Sequence, residues 1–563
     1  MDSVKQKLAT DGFKGEIDDS ASSIEAYSHD ASLFELRPKL IVSPKDKSDV
    51  ELLIRLASDL KKSMPEISLT ARSAGTDMSG GAINDSIIVD FLKHFTKIED
   101  TTANSAHAQP GVYYRDFETA TLKHNALMPS YPASRDLCTI GGMVNNNAGG
   151  EKSLEYGKTE NFVSELSFVF ADGVERIVKP LSRTELNKKM TQKDFEGQVY
   201  SQLFKLVESN YEAIKAAKPH VTKNSTGYNL WDVWDKEKDV FDLTKLIVGA
   251  QGTLGFVTDI HFRLVPKRPY SGLLVCFLRT LDPLAGIINE VLEHKPATFE
   301  SFDDNTLYLA IKFLPSFRKF IGDWGLVKLM VSLIPDGLML LHGIPKLILM
   351  IEFNEDSQEL VDEKIKAMHK DLKATSKKIH PRRKNIKMYR MAMEEDNTIA
   401  KSNKFWIMRR QSFNLLRSKV KDKHTAPFID DLVVNPPYLT DFLPKLRKII
   451  KKYNLLATIA GHLGDGNFHI IPLMKLEEPA ERAKLLPAMK EVNELVLSFH
   501  GSLSGEHNDG LVRGPWLEEM YGKNIVKIFR EAKSIMDPLE IFNPHKKANA
   551  TKDYSYSHVR DHF

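Results

Sequence analysis

Three segments that combine glycine with small polar residues, each beside an apolar run, set the strongest limit on how this chain can fold. They read ARSAGTDMSGGA at 71–82, TIGGMVNNNAGG at 139–150 and GAQGTLGFV at 249–257. Glycine lets backbone N–H groups approach a ligand closely, and serine and threonine hydroxyls add further donors. One such segment could be a tight surface turn. Three of them predict a fold built around an extended polar ligand.

The chain divides into more than one unit, because 563 residues exceed what a single compact core accommodates. Strand-like and helix-like patterns alternate after residue 38: KLIVSP predicts a strand, DVELLIRLASDL a helix and SIIVDF another strand. Such alternation predicts an α/β architecture for the first half. LTKLIVGAQGTLGFV predicts strands on both sides of a glycine turn, and residues 266–269 form a plausible boundary.

Composition excludes several classes of protein. The net charge of +3, from 78 basic and 75 acidic residues, indicates no nucleic-acid partner. Two cysteines, Cys138 and Cys276, cannot build a four-thiolate zinc or iron–sulfur site within this chain. The N-terminus lacks the apolar core of a signal peptide, and no run reaches the roughly 18 apolar residues of a membrane span. We therefore expect a cytoplasmic location.

The second half carries a histidine-rich turn and a glutamate–histidine pair. In AGHLGDGNFHIIPLM, Gly-Asp-Gly predicts a hairpin that places His462 and His469 opposite each other, close enough for one ion. Two such histidines alone are more often structural. GSLSGEHNDG adds Glu506 beside His507, and two histidines with one carboxylate are a common ligand set for Zn²⁺ or a related divalent ion.

Segment 71–82 resembles the pyrophosphate loop of the p-cresol methylhydroxylase and vanillyl-alcohol oxidase flavoproteins. Segments 139–150, 249–257 and KNSTGYNL at 223–230 resemble later segments of that superfamily, and AYSHDASLFELRPKLIVSP resembles its opening. The resemblance implies an α+β chain in two parts. After a lead at 1–34 come a PCMH-type FAD-binding domain at 35–267 and an FAD-linked oxidase C-terminal domain at 268–548, which carries the substrate and the metal, then a tail at 549–563.

The resemblance also implies noncovalent FAD, since no histidine lies in the first loop to form a covalent link. Asp77 and Ser73 stand where the superfamily usually has glycine, and Gln251 where it has glutamate. The implied pyrophosphate residues are Arg72, Ser73, Ala74, Gly75, Thr76, Ser79, Gly80 and Gly81. The implied isoalloxazine and ribityl residues are Pro132, Ser134, Thr139, Gly141, Gly142 and Asn145. Val257 is implied near the adenine, and Gly252 and Asn543 complete the FAD set.

The two histidine motifs resemble those of FAD-linked D-2-hydroxy-acid dehydrogenases, which act on D-lactate, D-2-hydroxyglutarate or glycolate. The resemblance implies a divalent metal, with zinc expected, on His462, His469 and Glu506, and it implies that His507 is the catalytic base. WIMRRQSF is similar to a Trp-x-x-Arg element, which makes Arg409 the substrate carboxylate clamp; the alternative is a helix-face arginine beside Arg410. The hydroxyglutarate enzymes have a lysine roughly where Ile429 stands, which favours D-lactate. Asn508 replaces the usual glycine.

Residues 313–351 are strongly apolar, but Pro335 and Pro345 break them into pieces too short for a span. One interpretation is a helical hairpin over the second core. The other is a peripheral element on the inner face of the membrane, with Arg318, Lys319 and Lys328 near lipid phosphates. Membrane contact would let reduced FAD pass electrons to a quinone; an electron-transfer protein is another possible acceptor.

Three rival functions remain open at this point. The first is a superfamily alcohol or sugar oxidase that uses O2, for which the two histidine motifs have no evident use. The second is a non-catalytic FAD-binding subunit, and the third is a metal-dependent hydrolase, which leaves the three glycine-rich segments unexplained.

Overall fold

The structure is a computed structural model that describes residues 1–312, 315, 318, 322–331, 344–379, 386–390, 404–409 and 422–562. Lys319, Pro335, Arg410 and most of the predicted apolar insert lie outside these ranges.

The first unit contains fourteen strands and ten helices. Its strands are β1 Glu16–Asp18, β2 Leu40–Ser43, β3 Leu69–Arg72, β4 Ile87–Asp90, β5 Ile98–Glu99, β6 Ser105–Ala108, β7 Ala126–Leu127, β8 Val163–Val169, β9 Glu175–Val178, β10 Leu181–Ser182, β11 Trp234–Asp235, β12 Val240–Phe241, β13 Phe256–Arg263 and β14 Val265–Pro266. Its helices are α1 Asp2–Thr10, α2 Ala21–Tyr27, α3 Lys47–Leu60, α4 Tyr114–Leu122, α5 Ile140–Asn146, α6 Ser153–Tyr156, α7 Arg183–Met190, α8 Phe195–Ser209, α9 Tyr211–Ala216 and α10 Thr244–Ile247.

Two sheets organise this unit. The first has the order β1-β2-β4-β3, in which β2, β4 and β3 run parallel and β1 is antiparallel. Strands β2 and β4 are buried along their whole length and apolar except for their last residues, Ser43 and Asp90, as expected for parallel strands covered on both faces. The second sheet is antiparallel, with the order β5-β6-β13-β8-β9, and from Thr258 onward only alternate residues of β13 are buried. The predicted KLIVSP, DVELLIRLASDL and SIIVDF elements are confirmed.

Two elements of the first unit differ from the sequence prediction. The middle of TIGGMVNNNAGG is not an open loop but helix α5, which begins at the Thr139 cap, whose hydroxyl accepts from the N–H of Gly142. The run before the third glycine turn was predicted as a strand, and it is helix α10. Glycine favoured a loop for the first segment, but the Thr139 cap starts a helix there. β-branched residues favoured a strand for the second, but its residues Thr244, Leu246 and Ile247 are buried in a short helix.

The second unit is built on one eight-stranded antiparallel sheet. Its strands are β15 Tyr270–Leu278, β16 Thr298–Asp303, β17 Leu347–Glu355, β18 Ile386–Arg390, β19 His424–Thr425, β20 Leu432–Val433, β21 Leu456–His462 and β22 Asn467–Met474, in the order β18-β15-β17-β16-β21-β22-β19 with β20 also on β22. The remaining helices are α11 Leu284–Glu293, α12 Asp304–Lys312, α13 322–331, α14 Gln358–Ile379, α15 404–409, α16 Leu439–Lys452, α17 Pro479–Arg482, α18 Leu485–Ser498, α19 Gly510–Arg513, α20 Leu517–Met536 and α21 Lys552–Ser557. Two units of mixed helix and sheet confirm the predicted α+β class.

The chain returns to the first unit after the second sheet is complete. Helix α20 buries Val526, Phe529 and Ala532 in the core of the first unit. Beyond it, the backbone of residues 541–543 runs beside β3, where Leu69 N–H donates to the Ile541 carbonyl over 2.7 Å and Asn543 N–H donates to the Leu69 carbonyl over 2.9 Å. The last part of the chain therefore extends the first sheet.

Helices α12 and α13 present apolar side chains at the surface of the second unit. On α13, Trp324 is 80% exposed and Val331 is 60% exposed, and Tyr308 on α12 is also exposed. Within the described ranges, every helix is too short or too polar to traverse a lipid bilayer.

Candidate active site

The second and third glycine-rich segments are joined by hydrogen bonds. The N–H of Gln251 donates to the Asn145 carbonyl over 2.9 Å, and the N–H of Gly252 donates to Asn145 Oδ1 over 3.1 Å. The first segment joins them through the Ser73 and Thr139 hydroxyls, 2.6 Å apart. The three segments predicted to share one ligand therefore meet at one place.

Asn543 connects the same loops from the C-terminal end of the chain. Its side-chain N–H groups donate to the carbonyls of Gly81, over 2.8 Å, and of Gln251, over 2.7 Å. Its side-chain oxygen accepts from the Thr70 hydroxyl over 2.8 Å. Because all three bonds are buried, Asn543 fixes the relative position of the first and third loops.

The first loop offers backbone donors to a ligand. Among the hydrogen bonds of the described residues, none uses the N–H groups of Ala74, Gly75 or Thr76. Gly75 has φ +65°, a conformation in which successive N–H groups can converge on an anion. The guanidinium of Arg72 lies behind the loop and donates to the carbonyls of Tyr27, over 3.2 Å, and His29, over 2.8 Å. These features fit a pyrophosphate.

Asp77 occupies other donors of the same loop. Its carboxylate accepts from the N–H of Ser79 over 3.0 Å, from the Ser79 hydroxyl over 2.8 Å and from the N–H of Gly81 over 2.7 Å. The side chain of Asn146 also donates to it over 2.9 Å. The side chain that departs from the superfamily pattern is therefore bonded to residues predicted to hold the pyrophosphate.

The other predicted cofactor residues line the same region. Pro132 and Ser134 are half-buried in the loop before α5, and Gly141 and Gly142 form the first turn of that helix. A Cβ on Gly141 would lie 2.7 Å from the Pro110 carbonyl oxygen, which explains glycine there. Val257 is buried on β13 opposite Phe168.

The histidine hairpin forms as predicted between β21 and β22, but its register differs. His469 pairs with Ala460 and His462 pairs with Asn467, so the two histidines are diagonal neighbours and not directly opposite. The cause is a 3₁₀ turn at Leu463–Asp465, which begins immediately after His462. Both rings still lie on one face, with centroids 5.3 Å apart and planes at 90°.

Glu506 completes a potential metal site. Its Oε1 lies 3.2 Å from His462 Nε2, and one ligand atom each of His462, His469 and Glu506 lie within 4.8 Å of one another. Nε2 of His462 is buried and makes no hydrogen bond within the described part of the chain. A buried nitrogen facing a carboxylate and a second imidazole fits a divalent ion.

Two buried carboxylates that no sequence motif marked, Glu300 and Asp430, contact the histidines of this group. Glu300 on β16 lies 2.5 Å from His462 Nδ1, and it also pairs with the guanidinium of Arg409 at the end of α15. Asp430 lies 2.8 Å from His507 Nδ1 and 3.4 Å from His469 Nδ1. Both acids thus orient imidazoles, as second-layer carboxylates do in metal sites.

Asp431 holds the loop that carries the glutamate–histidine pair. Its carboxylate accepts from the N–H groups of Glu506, over 2.9 Å, and His507, over 2.7 Å. The double aspartate in FIDDLVV, directly after an apolar residue and before a strand, was the available signal. Ile429, the residue before the two aspartates, is buried in the second core.

Lys223 is a further buried charge beside the metal-binding group. Its ammonium lies 2.6 Å from Glu506 Oε1 and 2.9 Å from Asp465 Oδ2, and the side chain is 1% exposed. It belongs to KNSTGYNL, which was predicted to be a family segment but without a role for the lysine. Lys223 supplies positive charge that stabilises the two carboxylates.

The acidic surroundings raise the pKa of two histidines, His507 and His462. Burial alone would lower the pKa of His507, but Asp431 and Asp430 outweigh it and raise the pKa to about 9. For His462, Glu300 likewise overcomes burial and raises the pKa to about 9. These values describe the site without a cation. A positive charge beside His469 would lower both, because like charges disfavour protonation.

Asn508 joins the histidine site to the glycine-rich loops. Its side-chain N–H groups donate to the carbonyls of Asn146, over 3.2 Å, and Gly249, over 2.8 Å. It has φ 67°, a conformation that glycine adopts freely and asparagine tolerates better than most residues. The departure from the usual glycine therefore keeps the turn and adds two bonds.

Comparison with known proteins agrees with this geometry. A family model described as "FAD binding domain" matches residues 38–178, and one described as "FAD linked oxidases, C-terminal domain" matches residues 268–547. The chain belongs to the FAD-linked oxidases. The family predicted from the motifs is confirmed.

Relatives of this FAD-linked oxidase include the D-2-hydroxyglutarate dehydrogenase of Pseudomonas putida, 26% identical over 544 residues, which covers 96% of this chain and 51% of that protein. The D-lactate dehydrogenase of Archaeoglobus fulgidus is 24% identical over 543 residues, covering 94% of this chain and 98% of that protein. The chain spans about half the length of the D-2-hydroxyglutarate dehydrogenases that it matches.

Among solved structures, 4-ethylphenol oxidase from Gulosibacter chungangensis superposes with a TM-score of 0.64 at 13% identity, covering 98% of both chains. This likeness shows a shared fold.

Proposed function

We propose that this FAD-linked oxidase oxidises a D-2-hydroxy acid to the 2-oxo acid. The observation that carries the proposal is the position of the histidine group directly against the glycine-rich loops, through Asn508. Bound FAD would accept the C2 hydrogen as hydride, and a divalent ion on His462, His469 and Glu506 would acidify the substrate hydroxyl.

His507 is the proposed acceptor of the hydroxyl proton. Asp430 contacts its Nδ1, which leaves Nε2 as the atom for the substrate. The same carboxylate stabilises the imidazolium that forms when the proton arrives. Arg409 is the proposed clamp for the substrate carboxylate, because its planar fork matches two carboxylate oxygens. In the structure the guanidinium pairs with Glu300, so substrate binding would shift that contact.

D-lactate is the substrate that we favour. Ile429 offers no charge for a second carboxylate, and a D-lactate dehydrogenase is among the relatives that match along nearly their whole length. D-2-hydroxyglutarate and glycolate are the alternatives. A second class, an alcohol or sugar oxidase using O2, has less support, because such chemistry gives no role to the buried group of His462, His469 and Glu506.

We further propose that the electrons leave to a quinone at the membrane surface. Trp324, Val327 and Val331 on α13 are exposed, and Lys328 of the same helix is exposed beside them. A face that combines an exposed indole, aliphatic side chains and a lysine suits the headgroup region of a bilayer. An electron-transfer protein is the alternative acceptor.

Anaerobic mixing of the purified yellow protein with D- and L-2-hydroxy acids tests the proposed reaction. We expect D-lactate to bleach the flavin absorbance and L-lactate to leave it unchanged. His507→Gln should slow bleaching by about 10²-fold or more, the usual contribution of a general base, with FAD content unchanged. If no D-acid bleaches the flavin, or if the variant reduces it at the wild-type rate, the assignment is wrong.

A further inference from the structure

A second group of potential metal ligands lies on the outer face of the five-stranded sheet, away from the histidine hairpin. His107 on β6 and His261 on β13 are directly paired residues of neighbouring antiparallel strands. Their rings are stacked, with centroids 3.3 Å apart and planes at 24°. Asp259, two positions before His261 on β13, lies with its Oδ1 3.6 Å from His261 Nε2.

These three side chains are held by the sheet itself. Ile260 and Phe262 alternate with them on β13 and are buried in the core, so Asp259 and His261 must face outward. One ligand atom from each of His107, Asp259 and His261 lie within 4.8 Å of one another. A tetrahedral Zn²⁺ with bonds near 2.1 Å needs ligand atoms about 3.4 Å apart, so small side-chain rotations would close the site.

The surrounding charge favours a cation. Asp100 Oδ2 lies 3.8 Å from His107 Nδ1, and Glu165 Oε1 lies 3.4 Å from His261 Nδ1. The carboxylates of Glu99 and Glu175 add further negative charge near Asp259. The ligand atoms of His107, Asp259 and His261 are therefore close together and surrounded by negative charge.

We propose that His107, Asp259 and His261 bind a divalent transition-metal ion, such as Zn²⁺, that ties β6 to β13 in the flavin unit. Asp100 or Glu165 can supply the fourth ligand. Paired imidazoles with a carboxylate favour zinc and its neighbours over Mg²⁺ or Ca²⁺, which prefer oxygen ligands alone. The site is independent of the proposed oxidation, because it lies on a different sheet from the hairpin that carries His462 and His469.

The test is a zinc titration of the chelator-treated, FAD-loaded chain by calorimetry, with bound zinc counted by mass spectrometry after gel filtration. All measurements are repeated in a His469→Gln background, which disables the hairpin site. We expect His107→Gln and His261→Gln each to bind one zinc fewer than their parent. Asp259→Asn should lower the affinity of this site for zinc by at least about tenfold, a loss typical of changes around a bound metal.

His294→Gln is the matched control. Glu290 on α11, His294 immediately after that helix and Asp371 on α14 form another group, with a single imidazole. This variant should bind as much zinc as its parent. Zinc should also raise the thermal midpoint of wild type but not of His261→Gln, with equal FAD content in both. Equal zinc in wild type and in the His107, His261 and Asp259 variants would overturn the proposal, as would a loss confined to His294→Gln.

Discussion

Asp77 shows how one residue can change a loop that the sequence otherwise defines well. Its carboxylate bonds to the Ser79 and Gly81 N–H groups, which glycine at position 77 would leave for a ligand. Two functions compete at this position. The carboxylate organises the loop, and its negative charge opposes a pyrophosphate bound at Ala74 to Thr76.

Asp77→Asn separates these two effects, since the amide keeps an oxygen acceptor but loses the charge. We expect FAD to bind about tenfold more tightly, which corresponds to about 1.4 kcal/mol. Fluorescence titration of the apoprotein with FAD measures this change, and Asp116→Asn, an exposed acid on α4, is the control. Equal or weaker binding by Asp77→Asn would mean that the carboxylate supports the cofactor loop.

Residues of the histidine site were predictable where they form local motifs and not where they come together only in the fold. His462, His469 and Glu506 stand in two short glycine-bounded turns, and the structure brings them together. Glu300 lies alone on a buried strand, and Lys223 precedes a loop. No sequence motif identifies either residue as part of the site, because each contacts residues that are distant in sequence.

At the scale of elements, alternation and helical periodicity correctly predicted several strands and helices. A high glycine content led to the wrong prediction of a loop where helix α5 forms. Helix α5 was not predicted because Gly141 and Gly142 lie inside it. Close contact with Pro110 leaves no room for a side chain at Gly141. The hairpin was predicted, but its register was not. Register depends on the turn, and the Leu463–Asp465 turn displaces the two histidines by one diagonal step.

Helix α12 begins at a buried acid whose ionisation should affect stability. Asp303 Oδ1 accepts from the N–H of Thr306 over 2.9 Å and from its hydroxyl over 2.7 Å. Burial raises the pKa of Asp303 to about 6. A carboxyl group whose pKa is raised by folding stabilises the folded state most below its unfolded pKa, and this contribution is lost as the pH rises through about 6.

Asp303→Asn should therefore gain stability over wild type by about 1 kcal/mol between about pH 5 and pH 7.5. The amide keeps an oxygen to cap the helix but does not ionise. Urea unfolding midpoints at both pH values measure the difference, and Asp441→Asn, an exposed acid on α16, should show no such gain. A constant difference across this pH range would show that Asp303 does not titrate there.

At the scale of the whole molecule, the apolar face of α12 and α13 gives the proposed membrane contact a direct test. We expect wild type to sediment with vesicles that contain phosphatidylglycerol. The double variant Trp324→Ser, Val331→Ser should stay in the supernatant, because it removes the most exposed apolar area. Leu137→Ser, an equally apolar and 64% exposed position on the first unit, is the control. Wild type that fails to sediment would exclude the membrane as the docking surface.

The division into two α+β units was predictable from the order of the motifs, but the path of the chain between them was not. Nothing in the pattern of LEEMYGKNIVKIFREAKSIM indicates which of two apolar cores receives helix α20. The core that receives this helix is determined by how well its side chains pack there. Phe529 fits between Trp231 and Tyr228, two aromatic residues of the first unit.

This return of the chain has a consequence for biosynthesis. Val526, Phe529 and Asn543 complete the first core and its loops, yet the ribosome makes them only after the whole second sheet. The first unit therefore leaves the ribosome early, but its core lacks the side chains of α20 for most of translation. The loops that hold FAD are complete only late in translation. Until then, the apolar residues of the incomplete first core are exposed and can bind chaperones.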